Sequence, residues 1–355
     1  MSIYYNGKEF PINYMAREKE YIGVDLGSIG YSSDDILDLW KDGLEYAKEI
    51  KENWDSSITY MSGKYENNKN LVFFPKVDTS KVTRLSSCFK GCSNLLSIPK
   101  LDISNVTDIG YYFYECTSLT TIPQLDTSNV TDMGYCFYGC RSLTTIPQLD
   151  TSNVTDMGNC FYQCSNLLSI PQLDTSNVTT MSNCFYGCTS LTTIPELNTR
   201  NVTTMGYCFY NCTSLTRIPE LNTSNVTNMS YMLLNCSKLK RIEGISFKSM
   251  GSISSSSSFI FGSTSNTSCS YLLIKDIGTN SSCTTFDTTN ARKWGVNDEV
   301  NPDARQSLID SLLTYSFDRA SAGYSNCTIK LYSTVKALLT TDEINQIQAK
   351  GYIIS

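Results

Sequence analysis

Prolines stand at positions 99, 123, 147, 171, 195 and 219, a strict period of 24 residues. A period of this size marks a chain of stacked supersecondary units, because one such unit cannot enclose its own apolar side chains. A full unit runs from Val130 to Asn153. Seven units run from about Lys76 to Ile245 and open at Val82, Val106, Val130, Val154, Val178, Val202 and Val226.

The copies align with one another. Leucine holds the column of Leu143 from Leu95 to Leu239, and isoleucine holds that of Ile146 from Ile98 to Ile242. Cysteine occupies Cys92, Cys116, Cys140, Cys164, Cys188, Cys212 and Cys236. The column of Phe137 changes only at Leu233, and that of Met133 only to Leu85 and Ile109. These positions lie three or four residues apart and read as the inward side chains of a coil. Neighbouring columns vary freely and read as solvent-facing: Thr144 corresponds to Leu96, Leu168 and Lys240, and Gly139 to Glu115, Gln163 and Asn211. Within a coil, residues 143–146 read as a short parallel strand stopped by Pro147, which has no N–H to give to a ladder. Residues 150–153 read as a turn, 154–157 as a second extended piece, and 158–164 as about one helical turn.

Composition removes whole classes of function. The 355 residues include no histidine, so the commonest general base, the Ser–His and Cys–His nucleophile pairs and every His-containing zinc site are excluded. No Gly-rich phosphate loop or nucleophile elbow is present either, which points away from an enzyme. A net charge of −6 argues against nucleic acid as a partner. No apolar run is long enough for membrane insertion. The opening residues, Met1 to Phe10, do not read as a secretory signal peptide.

The pattern carried by Thr127-Ser128-Asn129-Val130-Thr131-Asp132-Met133, Cys136-Phe137, Cys140, Leu143 and Ile146-Pro147 resembles the BspA-like (Treponema-type) leucine-rich repeats. The resemblance covers about half the chain in seven in-phase copies. It implies surface-exposed binding or adhesion proteins of host-associated bacteria and their phages, without catalytic residues. Residues 337–344 and 351–354 resemble the ending of such repeat proteins and of phage tail-associated proteins. The expected fold is mainly β with short helices: a right-handed leucine-rich-repeat solenoid of 24-residue coils, capped at both ends by small α/β segments.

The ends are read as three segments. Residues 1–75 form an N-terminal cap or attachment domain, with a hairpin at Tyr5-Asn6-Gly7-Lys8 and a helix from about Ser33. Ile36, Trp40, Leu44, Ala47, Ile50 and Trp54 share one face of that helix and cover the first coil. Residues 246–300 form an irregular Ser-rich closing coil with a strand at 271–274. Residues 301–355 form an α/β cap, in which Pro302 starts a helix.

Several columns could carry function. Tyr114, Tyr138, Tyr162, Tyr186 and Tyr210, with Tyr135 and Tyr207, are the candidate ligand-binding residues, since tyrosine offers an apolar face and a hydroxyl; stacking that stiffens the array is the competing reading. The paired cysteines, such as Cys136/Cys140, read as a buried ladder and not as a metal site or disulfides, because Tyr112 and Met232 replace the first cysteine in two units. Cys269, Cys283 and Cys327 have no assigned role. Asp102, Asp126, Asp150 and Asp174 form one acidic column, continued by Asn198 and Asn222, and Asp108, Asp132 and Asp156 form another; they read as turn caps rather than calcium ligands. The Asn-Val-Thr triplets match a glycosylation sequon, but each arises from the repeat itself. One column drifts in charge from Lys76 and Lys100 through Gln124, Gln148 and Gln172 to Glu196 and Glu220, which suggests a polarised face. No cofactor and no metal are expected. The partners expected are a host-surface protein or glycan, and other virion proteins through residues 1–75. The location expected is a phage virion or an extracellular surface, with a bacterial surface adhesin or a purely structural virion protein as alternatives.

Overall fold

A computed structural model describes residues 2–5, 8–11, 34–249, 271–276, 285–287, 302–316, 318–331, 336–337 and 339–355. Successive coils lie in parallel register. Bridges join residues 24 apart, from Asp108↔Asp132 through Asp132↔Asp156, Asp156↔Thr180 and Thr180↔Thr204 to Thr204↔Asn228. The inward columns inferred from the repeat form one continuous core: in one coil Val154, Met157, Cys160, Phe161, Cys164 and Leu167 are all fully buried. The phenylalanines stack through the interior, with Phe137, Phe161, Phe185 and Phe209 at 5.4 Å from ring to ring.

The extended piece before Pro147 is shorter in hydrogen bonds than in sequence pattern. The strand anticipated at residues 143–146 is reduced in the middle coils to a bond such as Leu168 N–H to the Thr144 carbonyl at 3.0 Å. Named strands appear only near the end of the array, where β3 (Arg217–Ile218), β4 (Arg241–Ser246) and β5 (Tyr271–Lys275) form a parallel sheet. The helical turn expected at residues 158–164 is absent. The N–H groups of Cys160, Tyr162 and Cys164 each bond the carbonyl three residues back, while those of Asn159, Phe161 and Gln163 cross to Ser182, Cys184 and Tyr186 of the next coil. This alternation requires left-handed backbone at Asn159 (φ 57°) and Gln163 (φ 55°), which a right-handed helix excludes.

The array also begins earlier than the proline series from Pro99 implies. Tyr60 and Phe73 bridge Arg84 and Ser97. Met61, Leu71 and Phe74 are buried in the columns of Leu85, Leu95 and Ile98, and Tyr65 stacks on Phe89 at 5.9 Å. A coil therefore precedes Val82, with Tyr, Asn68 and Phe in place of Phe, Cys and Ile.

Helix α1 (Asp34–Glu52) lies on this first coil. Leu44 and Ala47 are buried there, with Ile50 and Trp54 packed beside them. Gly43 permits the close approach, since a Cβ at that position would come within 2.5 Å of Val72 Cβ. The side chains of Ile36 and Trp40 lie outside the described residues. Ahead of the helix, β1 (Ser2–Tyr5) pairs antiparallel with β2 (Lys8–Pro11) in the register Tyr5↔Lys8, as the hairpin signal requires.

At the other end β5 stacks on β4, and α2 (Pro302–Tyr315) packs on β5, with Leu308, Ile309 and Leu312 buried. A second parallel sheet has the order β6 (Thr285–Asp287), β7 (Cys327–Lys330), β8 (Tyr352–Ile354). Helix α3 (Thr341–Ala349) opens on a Thr340/Glu343 capping box. The Ser-rich stretch 252–258, Cys269 and Cys283 lie outside the described residues.

Candidate functional site

Three side-chain ladders tie each coil to its neighbours. The thiols of Cys92, Cys116, Cys140, Cys164, Cys188, Cys212 and Cys236 donate to backbone carbonyls of the preceding coil at 2.9–3.1 Å, as Cys140 does to Phe113. That bond explains a cysteine where any small apolar residue would fill the space. None of the described cysteines forms a disulfide, and among the described residues no group of acidic or cysteine side chains could hold a metal ion. Burial pushes the Cys140 thiol pKa well up. Buried Thr127, Thr151, Thr175, Thr199 and Thr223 donate to carbonyls of the next coil at 2.7–3.0 Å. Asn105, Asn129, Asn153, Asn177, Asn201 and Asn225 donate to the coil before. The sequon-like asparagines are thus ladder residues.

On this frame the tyrosines form two adjacent columns. Tyr114, Tyr138, Tyr162, Tyr186 and Tyr210 stack face to face at 4.4–4.5 Å, with interplanar angles of 13° or less. Burial raises the phenol pKa of Tyr114, Tyr138 and Tyr162, and that of Tyr186 to about 12. The rings are half-buried, and their edges face solvent. The second column reads Ser87, Tyr111, Tyr135, Asn159, Asn183, Tyr207 and Tyr231. Tyr111 stacks on Tyr135 at 4.6 Å and Tyr207 on Tyr231 at 5.0 Å. Two ring pairs therefore flank two asparagines, beside an unbroken five-ring stack. All seven predicted tyrosines come together on one face; Tyr111 and Tyr231, which belong with them, were missed.

Every residue of the second column has left-handed backbone, including Tyr111 (φ 59°), Tyr135 (φ 58°), Tyr207 (φ 57°) and Tyr231 (φ 56°). Glycine or asparagine takes this conformation cheaply, and the chain uses them at Gly63, Asn159 and Asn183. For a tyrosine it costs about 1–2 kcal/mol, against roughly 0.5–1.5 kcal/mol returned by one stacked pair. The tyrosines are thus not the residues that backbone stability alone would select.

The remaining columns have structural work. Asp126 and Asp150 accept from the hydroxyl and N–H of Ser128 and Ser152, bonds that lower the carboxyl pKa. Asp108, Asp132 and Asp156 accept from Gly110, Gly134 and Gly158 N–H at 2.6–2.7 Å, and burial raises the Asp132 pKa. Both acidic columns cap turns, as anticipated. The charge drift is quenched at its acidic end, where Arg217 pairs with Glu196 and Glu243 and Lys275 pairs with Glu220. A shallow groove of about 920 Å³ over the same region is lined by Gln148, Gln172, Asp150, Asp174 and Glu196. Its glutamines are tied to the next coil's backbone, as in Gln148 Nε2 to Gln172 O at 2.6 Å. No helix among the described residues is long and apolar enough to cross a membrane.

A family model described as "Mycoplasma protein of unknown function, DUF285" matches residues 39–146, 137–244 and 161–268, together well over half of the chain. The chain belongs to the DUF285 family. The second and third matches to DUF285 are offset by one 24-residue coil, and the first includes α1 and the coil before Val82. Solved structures similar to this DUF285 chain include an internalin, InlF, from Listeria monocytogenes (14% identity, 80% of this chain and 74% of that one, TM-score 0.29). The functional domain of InlJ from Listeria monocytogenes, described as including a cysteine ladder, is 14% identical over 78% of this chain and 66% of its own (TM-score 0.25). A TLR13–ssRNA13 complex is 13% identical over 78% of this chain and 42% of its own (TM-score 0.27). No curated protein matches the chain.

Proposed function

We propose that this protein is a non-enzymatic recognition or adhesion protein that presents its tyrosine face to a protein or glycan on another surface. The observation that carries the reading is the pair of tyrosine columns, stacked on a hydrogen-bonded core and held partly in a backbone conformation that costs stability. Right-handed winding, capping by residues 1–75 and 301–355, and closure through 246–300 belong to the same proposal. So does placement on a phage tail or fibre that contacts a host surface. Genes for capsid and tail proteins beside this one support the virion setting; genes for surface or export proteins support a bacterial adhesin.

The test is a pull-down on host cell envelopes and a glycan array, run with the full chain and with a Tyr138→Ala/Tyr162→Ala/Tyr186→Ala variant. Envelope or glycan binding that the variant loses while keeping its circular dichroism spectrum supports the proposal. Absence of all binding by the parent overturns it in favour of a purely structural role.

A further inference from the structure

The second tyrosine column has a gap with a definite shape. Tyr135 is stacked on one face by Tyr111, and Tyr207 on one face by Tyr231. Their opposite faces point toward each other across Asn159 and Asn183, and neither face is covered by another stacked ring. The two rings are three coils apart, on the order of 14 Å between planes at the usual strand spacing. Contact distances of about 3.5–4 Å at each wall leave a span of roughly 6–7 Å for ligand atoms. The floor is made by the shorter asparagine side chains, and the rings of Tyr162 and Tyr186 form one side.

The floor differs chemically from the rest of the repeat. Ladder asparagines such as Asn129, Asn153 and Asn177 donate their amides to backbone carbonyls. Asn159 and Asn183 make no side-chain hydrogen bond within the described residues, so both amides are available as donor and acceptor. Two aromatic faces with amides between them match a ring that has apolar C–H faces and equatorial hydroxyls. The carboxylates of Asp132 and Asp156 are held at the slot's edge by the N–H groups of Gly134 and Gly158, which precede Tyr135 and Asn159 in the chain. They oppose a carboxylated sugar.

We propose that the slot bounded by Tyr135, Asn159, Asn183 and Tyr207 binds a single neutral hexopyranose residue, at the end or on a branch of a surface glycan. The ring lays one C–H face on Tyr135 or Tyr207, and the asparagine amides between the two hydrogen-bond its hydroxyls. This rests on the recognition reading above and names the ligand class for that face.

The experiment titrates the full chain with glucose, galactose, mannose, N-acetylglucosamine and N-acetylgalactosamine, and with glucuronic and sialic acid, alongside the envelope pull-down. Two variants act on the slot in opposite ways. Tyr135→Asn/Tyr207→Asn removes the walls and replaces left-handed tyrosines by the residue the neighbouring coils use. Asn159→Tyr/Asn183→Tyr fills the slot by continuing the stack. The expected result is binding of at least one neutral sugar, weakened at least tenfold in both variants. The wall-less variant should keep or raise its unfolding midpoint, which separates a binding role from a structural one. Neutral-sugar binding unchanged in the filled variant, or preference for an acidic sugar, overturns the proposal. Envelope binding without any sugar binding overturns it while leaving the recognition reading intact; loss of both fails the recognition reading itself.

Discussion

Tyr112 stands where five other coils carry Cys88, Cys136, Cys160, Cys184 or Cys208. It is fully buried, 4.2 Å from the Phe113 ring and 5.2 Å from that of Phe89. Its hydroxyl has no hydrogen-bond partner. An unsatisfied buried polar group carries a desolvation penalty of about 1–3 kcal/mol. Tyr112→Phe removes that penalty and keeps the ring contacts; the void left by one oxygen returns only a few tenths of a kcal/mol. The substitution is therefore expected to stabilise the array by about 1–2 kcal/mol, the opposite sign from most core truncations. Because coils unfold with their neighbours, the effect belongs to the coils flanking Tyr112. Urea denaturation followed by circular dichroism should show a higher midpoint. Amide exchange should slow in the coils around Phe89 and Phe137 more than near Met229. A midpoint lowered by the equivalent of about 1 kcal/mol or more would refute the reasoning, because it would mean the hydroxyl is satisfied.

Four further outcomes follow from the ladders and stacks. Cys140→Ala removes the thiol bond to Phe113, but that carbonyl keeps the Cys116 N–H at 3.0 Å, so the loss should be about 1–2 kcal/mol; a loss above about 4 kcal/mol in a denaturation series would mean a larger role. The buried ladder thiols, raised in pKa by desolvation, should resist iodoacetamide in the native protein at pH 8 and react on unfolding, as mass spectrometry can count. Asn153→Asp replaces the donor to Ser128 O with a charged acceptor and should destabilise by about 1–3 kcal/mol, seen as a lower unfolding midpoint. Alkaline pH gives a signed test. Tyr186 binds its proton more tightly folded, with its pKa near 12 against an ordinary 10.0. Its contribution is therefore fully present below pH 10 and is lost as the pH rises from 10 toward 12. Tyrosinate absorbance should rise late in the native protein, and stability that increases over that interval would contradict the stacked column.

The interior was legible because it repeats the same choices. Leu143, Ile146, Phe137 and Cys140 recur at fixed spacing, and burial in stacked coils is the one environment that holds such columns constant. The first coil was illegible by that criterion, because Tyr65, Asn68 and Phe74 fill the same sites with other residues; Pro75, 24 residues before Pro99, was the signal that could have found it. The backbone between Gly158 and Cys164 escaped for a different reason. Apolar spacing of three and four fits a helical turn and also a run of turns with alternating φ, and only the second sends every other N–H to the next coil. Glycine and asparagine at Asn67, Gly91, Gly139, Gly187, Asn211 and Asn235 carried that information, since all of them have positive φ. The tyrosine face was half legible. Its residues could be named from the columns, but their arrangement depends on where Asn159 and Asn183 interrupt the series. Aligning coils to find what is constant sets aside such interruptions as noise. In a solenoid the constant positions build the scaffold, so any specific contact has to be written where one coil departs from the next, and the two asparagines between paired tyrosines are such a departure.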